Sequence, residues 1–288
     1  MEFPPPHIHV PQTTHTHTII LLHGRASDGP EFAEELFSSL TTKGTPLTNC
    51  LPNWRWVFPT SRDRWSALFQ EEMCSWFDAY SLTNIDEQQK LQIDGLQESV
   101  SHILDILENE IRFLEGKASN VFLGGISQGM ATALWTVFCA VERIPHRIGG
   151  LVGFCGWLPF ANQLEELIAA RSKEKEDAAR PTKADIQRLV SNFCLATIDG
   201  PQPAQGNNTS GSGRAVPILT TPVLLGHGTD DAWVPVELGQ QALRVVQEVM
   251  GGVEWKEYTG AAGEGHWIKE PEGFDHILEF LESRSIGG

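Results

Sequence analysis

Short apolar runs alternate with amphipathic stretches along most of this chain, and that rhythm constrains its fold more than any other feature. The runs at 18–22 (TIILL), 54–58 (WRWVF), 120–126 (NVFLGGI), 149–154, 222–226 and 253–258 (VEWKEY) have the length and residue types of strands. Between and after them, 31–40, 89–113, 129–141, 236–249 and 273–282 read as helices. In 89–113 the residues Ile93, Leu96, Val100, Ile103, Leu104, Leu107 and Ile111 mark a single face at helical spacing. The stretch 129–141 is apolar on nearly every side, which predicts a buried helix. Alternating β and α predicts a mostly parallel central sheet flanked by helices on both faces. One domain is expected over 1–288, with an insertion at about 160–220. Its first part (161–195) is charged and helical, and GPQPAQGNNTSGSG at 200–213 has the composition of a flexible linker. The charged run RSKEKEDAAR reads either as a solvated helix face or as part of a lid over a site.

Composition narrows the partners. A content of 41% hydrophobic and 20% charged residues excludes a mostly disordered chain or a collagen-like repeat. The formal charge of −16 speaks against a general nucleic-acid binder, because a phosphate backbone would be repelled. The opening segment MEFPPPHIHVPQ lacks the basic and apolar regions of a secretory signal, and no run reaches the length of a membrane span. Cys50, Cys74, Cys139, Cys155 and Cys194 form no C-x-x-C pair and sit in or near apolar segments. They predict a reduced, cytoplasmic protein without a cysteine-ligated metal.

The chemistry is carried by Gly125-Ile126-Ser127-Gln128-Gly129, a G-x-S-x-G between an apolar strand and an apolar helix. That context is the strand–turn–helix elbow that presents a serine nucleophile above a helix N-terminus. A serine hydroxyl needs a base. Of the ten histidines, His266 lies in a loop between the last strand and the last helix, where catalytic groups collect in open α/β sheets. His23 and His227 come too early in the chain order and read as loop-shaping residues. His7, His9, His15 and His17 read as exposed on an extended N-terminal segment, and His102, His146 and His276 as peripheral. The base needs an orienting carboxylate, and Asp230 and Asp231 both follow the strand at 222–226. Asp231 is the first choice and Asp230 the reserve. The resulting order Ser127…Asp231…His266 is that of α/β-hydrolases. Two backbone N–H groups must face the oxyanion. That of Gln128 follows the nucleophile directly, and that of Arg25 lies in the loop after the first strand.

Six blocks appear in order: LLHGRASDG (21–29), CSWFDAYSL (74–82), FLGGISQGMA (122–131), GFCGWLP (153–159), LLGHGTDDAWVP (224–235) and GEGHW (263–267). With them the chain resembles the acyl-protein thioesterase / phospholipase–carboxylesterase family of α/β-hydrolases. The resemblance covers most of the chain outside 1–15 and 160–220. It implies a single-domain serine hydrolase acting on esters or thioesters with neither metal nor cofactor. It maps nucleophile, acid and base onto Ser127, Asp231 and His266, and the oxyanion donors onto Arg25 and Gln128. By the same likeness the substrate is a small-molecule ester or an acylated partner, such as an S-acylated protein or a lysophospholipid. The protein is expected to be a monomer or weak homodimer. Where this family's first loop usually reads HGLGDTG, this chain reads HGRASDG. Arg25 would place a guanidinium at the pocket mouth, favouring a carboxylate or polar acyl group over a purely apolar chain.

Trp76, Trp157, Trp233 and Trp267 fall within or beside these blocks. Trp76, Trp157 and Trp233 are the pocket candidates, against the alternative of core packing. Two further readings of the chain stay open. One is acyl transfer, or lactone opening and closure, with the same residues. The other is a silent binding protein, which all three triad members argue against.

Overall fold

The computed structural model of the protein describes residues 2–173, 181–200 and 214–285. Its strands are β1 (His7–His9), β2 (His17–Leu22), β3 (Trp54–Phe58), β4 (Arg62–Ser66), β5 (Glu71–Ser75), β6 (Val121–Ile126), β7 (Gly150–Phe154), β8 (Pro222–Gly228) and β9 (Gly252–Tyr258). The helices are α1 (Gly29–Ser38), α2 (Leu47–Cys50), α3 (Gln92–Phe113), α4 (Gln128–Cys139), α5 (Ala161–Lys173), α6 (Lys183–Asp199), α7 (Val236–Val249) and α8 (Glu272–Ser285). The main sheet runs β1-β3-β2-β6-β7-β8-β9, parallel throughout except for the antiparallel edge strand β1. The strands β4 and β5 form a separate antiparallel hairpin.

The alternation of side chains along each central strand builds a core on either face of the sheet. Ile20, Leu22, Leu123, Leu151 and Leu225 point into the layer formed with α3, α4, α6 and α7. Ile19, Leu21, Phe122, Val152 and Leu224 point into the layer formed with α1 and α8. Because both faces are covered, these strands read as continuous apolar runs. Every residue of α4 is buried, which explains its all-round apolar sequence.

The described parts of 160–220 are tied into this core. Ile186, Val190 and Cys194 of α6 belong to the larger cluster. The buried Gln187 donates to the Leu219 and Val249 carbonyls and accepts the Val216 N–H. The linker-like stretch 201–213 and the end of the charged run, 174–180, lie outside the described residues.

The N-terminal histidines divide differently from expectation. His7 and His9 are on an edge strand, but His17 is buried and stacks on Trp54 with ring centroids 4.8 Å apart. Its place at the start of β2 beside β3 takes it into the sheet. No helix of the described residues is long and apolar enough to cross a membrane.

Candidate active site

Five loops at the carboxyl ends of β2, β6, β7, β8 and β9 converge on one cavity of about 490 Å³. Ser127 stands between β6 and α4 with φ 55° and ψ −124°, a strained conformation for a non-glycine residue. Its N–H donates to the Phe154 carbonyl at 2.8 Å, so the turn is pinned to the neighbouring strand. The tight turn needs its flanking glycines. A Cβ at Gly129 would run into the Leu22 carbonyl, and one at Gly125 would come within 2.7 Å of the same atom. The glycines therefore let helix α4 sit directly against β2 and β6.

Asp231 meets His266, which lines the cavity, from within the protein. His266 Nδ1 lies 2.7 Å from Asp231 Oδ2. The Asp231 side chain is fully buried. Its Oδ1 accepts the backbone N–H groups of Trp233 and Val234, both at 2.9 Å. A second histidine shares Oδ2, with His227 Nε2 at 3.3 Å. Burial opposes ionisation of Asp231, but these hydrogen bonds from His227, His266 and Val234 outweigh it and hold the carboxyl well below the usual carboxylate range. Asp231 is thus an anion at neutral pH, and it orients His266 with the Nδ1 proton directed at itself. Asp230 is placed elsewhere: its exposed carboxylate accepts the Gly260 N–H at 2.9 Å.

Ser127 and His266 line the same cavity. The Ser127 hydroxyl makes no hydrogen bond to another described residue, the open form common in substrate-free sites. The backbone N–H of Gln128 lies in the first turn of α4, whose N–H groups have no intrahelical partner. The Gln128 side chain is buried, accepts the Trp76 N–H at 2.9 Å and donates to the Phe77 carbonyl at 2.6 Å. The loop carrying Arg25 passes close to the serine: a Cβ on Gly24 would sit 3.4 Å from Ser127 Cβ and 3.8 Å from its Oγ. The Ala26 N–H donates to the Cys74 carbonyl at 2.8 Å, which fixes this loop to β5.

His23 braces the same loop from beneath. Its Nδ1 lies 2.6 Å from the Gly24 carbonyl, and its Nε2 accepts the Ser61 N–H at 2.9 Å. One neighbour is an acceptor and the other a donor, so the neutral Nδ1–H tautomer fits and the imidazolium does not. Burial lowers its pKa to about 4 from the ordinary 6.5. An unfolded chain therefore binds the extra proton first as pH falls. The stability this group contributes is fully present above pH 6.5 and is lost as pH drops towards 4. The gap between the two pKa values corresponds to ~3 kcal/mol. Urea unfolding at pH 7 and 4.5 should show the loss, and His23→Gln should reduce the pH 7 to 4.5 difference by ~2 kcal/mol. An unchanged difference would refute this role.

The tryptophans separate into wall and support. Trp157 and Trp233 line the cavity, as does Trp267. Trp76 does not: it is fully buried, and its indole N–H donates to the His23 carbonyl at 2.9 Å. Sequence reasoning missed the contribution of the hairpin, whose Phe69, Glu71 and Met73 form part of the wall. It also missed the sharing of Asp231 by His227, for which the i,i+4 spacing across the end of β8 was the available signal.

Among the described residues, Cys155, Asp231 and His266 form one group whose ligand atoms lie within 4.8 Å of one another. They do not suit a metal ion. Burial pushes the Cys155 thiol up to about 12. Its sulfur faces the Tyr258 hydroxyl and the Gly265 and Trp267 carbonyls, and the other two ligand atoms are hydrogen-bonded to each other.

Comparison with known proteins agrees with this architecture. Residues 4–175 match the sequence profile described as phospholipase/carboxylesterase. The carboxylesterase SOBER1 of Arabidopsis thaliana is 29% identical over 278 residues, covering 92% of this chain and 87% of that one. Acyl-protein thioesterase 1 of Schizosaccharomyces pombe is 23% identical over 215 residues, covering 69% and 87%. The crystal structure of Zea mays acyl-protein thioesterase 2 superposes with a TM-score of 0.62 at 23% identity, covering 98% of this chain and 100% of that one.

Proposed function

The chain belongs to the phospholipase/carboxylesterase family and has its α/β-hydrolase fold, and on that footing we propose that it cleaves carboxylic esters or thioesters through an acyl-enzyme on Ser127. The observation that carries this reading is the 2.7 Å contact between His266 Nδ1 and the buried Asp231 carboxylate, on the cavity that Ser127 also lines. With its Nδ1 proton held by Asp231, His266 offers Nε2 as the base. Ser127 Oγ bonds to the acyl carbon while its proton passes to Nε2. The Arg25 and Gln128 N–H groups receive the charge that develops on the carbonyl oxygen. Collapse breaks the bond to the leaving alcohol or thiol, which takes the proton from His266. Water then repeats the sequence and frees the acid. The five free cysteines suit a reducing compartment, the cytoplasm.

Rapid mixing with p-nitrophenyl butyrate should release a burst of nitrophenolate close to one equivalent of enzyme if deacylation is the slower step. After acid quenching, peptide mass spectrometry should find the butyryl group on the peptide containing Ser127. Turnover with the acyl group on any other residue would overturn the assignment.

A further inference from the structure

The proposed mechanism uses only the main chain of Arg25 and leaves its side chain without a task. That side chain is unusual for its position. Arg25 is half-buried on the wall of the cavity that holds Ser127. Its guanidinium donates from Nη1 to the Ala79 carbonyl at 3.3 Å and lies 4.8 Å above the ring of Phe69, another wall residue. Among the described residues it forms no ion pair. Asp78, whose carboxylate accepts the Ala67 N–H, is felt electrostatically but stands beyond ion-pair distance from the guanidinium. One neutral carbonyl and one aromatic face leave most of the five guanidinium N–H donors unspent. Partial burial without an anion in direct contact costs free energy, and desolvation lowers the Arg25 pKa despite the field of Asp78. The other ionisable wall groups besides His266 are Glu35 and Glu71, both exposed, where water screens their repulsion of an anion.

The sheet order fixes which part of a substrate meets this cation. Arg25 follows β2, on one side of the β6 strand that carries Ser127, and Asp231 and His266 follow β8 and β9 on the other. His266 must reach the leaving oxygen or sulfur, so the leaving group takes the His266 side. The acyl portion is left with Arg25, Phe69 and Met73. On the hydrolase reading above, we propose that the preferred substrates are esters or thioesters whose acyl chain ends in a carboxylate, the half-esters of dicarboxylic acids, held by the Arg25 guanidinium. A guanidinium–carboxylate pair in a partly dehydrated cavity is directional and charge-assisted, so it discriminates against a methyl terminus that would leave the cation unpaired.

The test compares pairs matched in length and leaving group by pH-stat: monoethyl glutarate against ethyl pentanoate, and monoethyl adipate against ethyl hexanoate. The wild type should favour the carboxylate member of at least one pair by on the order of tenfold or more in kcat/KM. Arg25→Leu should abolish or invert that preference, and Arg25→Lys should keep part of it. A wild type that prefers the neutral ester in both pairs overturns the proposal without recourse to any variant. A preference that survives Arg25→Leu overturns it too. In both cases the hydrolase reading stands, since ester turnover has been observed. If the wild type cleaves none of the four esters and Ser127 fails to react with a fluorophosphonate, the hydrolase reading falls and takes this proposal with it.

Discussion

Ser127→Ala should leave a folded protein whose ester turnover is lower by roughly five to six orders of magnitude, the loss expected when the nucleophile of such a constellation is removed. The residual rate comes from the backbone donors and the bound substrate geometry, which the substitution leaves in place. Folding should scarcely notice. Alanine keeps the Cβ, so the strain of φ 55° at this elbow is the same in both proteins. The serine hydroxyl makes no hydrogen bond to another described residue, so none is lost, and stability should change by no more than about 0.5 kcal/mol. Stopped-flow or steady-state ester hydrolysis, paired with urea unfolding of the same preparations, separates the two effects. Near-full esterase activity in the variant would remove Ser127 from the mechanism. A large drop in stability would mean that lost activity reports unfolding.

Much of the fold could be read from sequence because parallel strands covered on both faces have no polar side to interrupt them. The run predicted at 18–22 lies within β2, and those predicted at 54–58, 120–126 and 222–226 agree with β3, β6 and β8 to within two residues. The hairpin β4–β5 had no such signature. Its strands, RDRWS and EEMCS, are polar, and what holds them is distant in sequence: Arg62 and Arg64 both reach Glu98 on α3, at 2.6 and 2.7 Å. A segment fixed by tertiary ion pairs leaves no local periodicity to find. The cost of missing it was the wall formed by Phe69 and Met73. Trp76 shows a related limit. Its position in a motif block said that it was near the site, but not that its ring would turn inward to support His23 rather than outward to the cavity. The neighbouring aspartates pose the same problem, since chain order allows either Asp230 or Asp231 and only the backbone's direction through the turn after β8 distinguishes them.

That distinction gives the other large expected effect. Asp231→Asn should lower kcat by about four orders of magnitude, while Asp230→Asn should stay within a few-fold of the wild type. The asparagine carbonyl oxygen can still accept the Trp233 and Val234 N–H groups that now bind Oδ1. Its amide nitrogen then replaces Oδ2, the atom 2.7 Å from His266 Nδ1. An N–H donor there favours the tautomer with Nδ1 bare and the proton on Nε2, which cannot take a proton from Ser127. The His227 contact to Oδ2 at 3.3 Å changes in the same way, but its 2.9 Å bond to the Val234 carbonyl holds that ring in place, so the fold should survive. Asp230 touches neither histidine and serves the Gly260 turn, so its amide form costs at most local order. Parallel measurement of kcat and unfolding free energy for both variants decides the matter. Equal losses of activity in the two, with both folded, would mean that Asp231 does not orient the base.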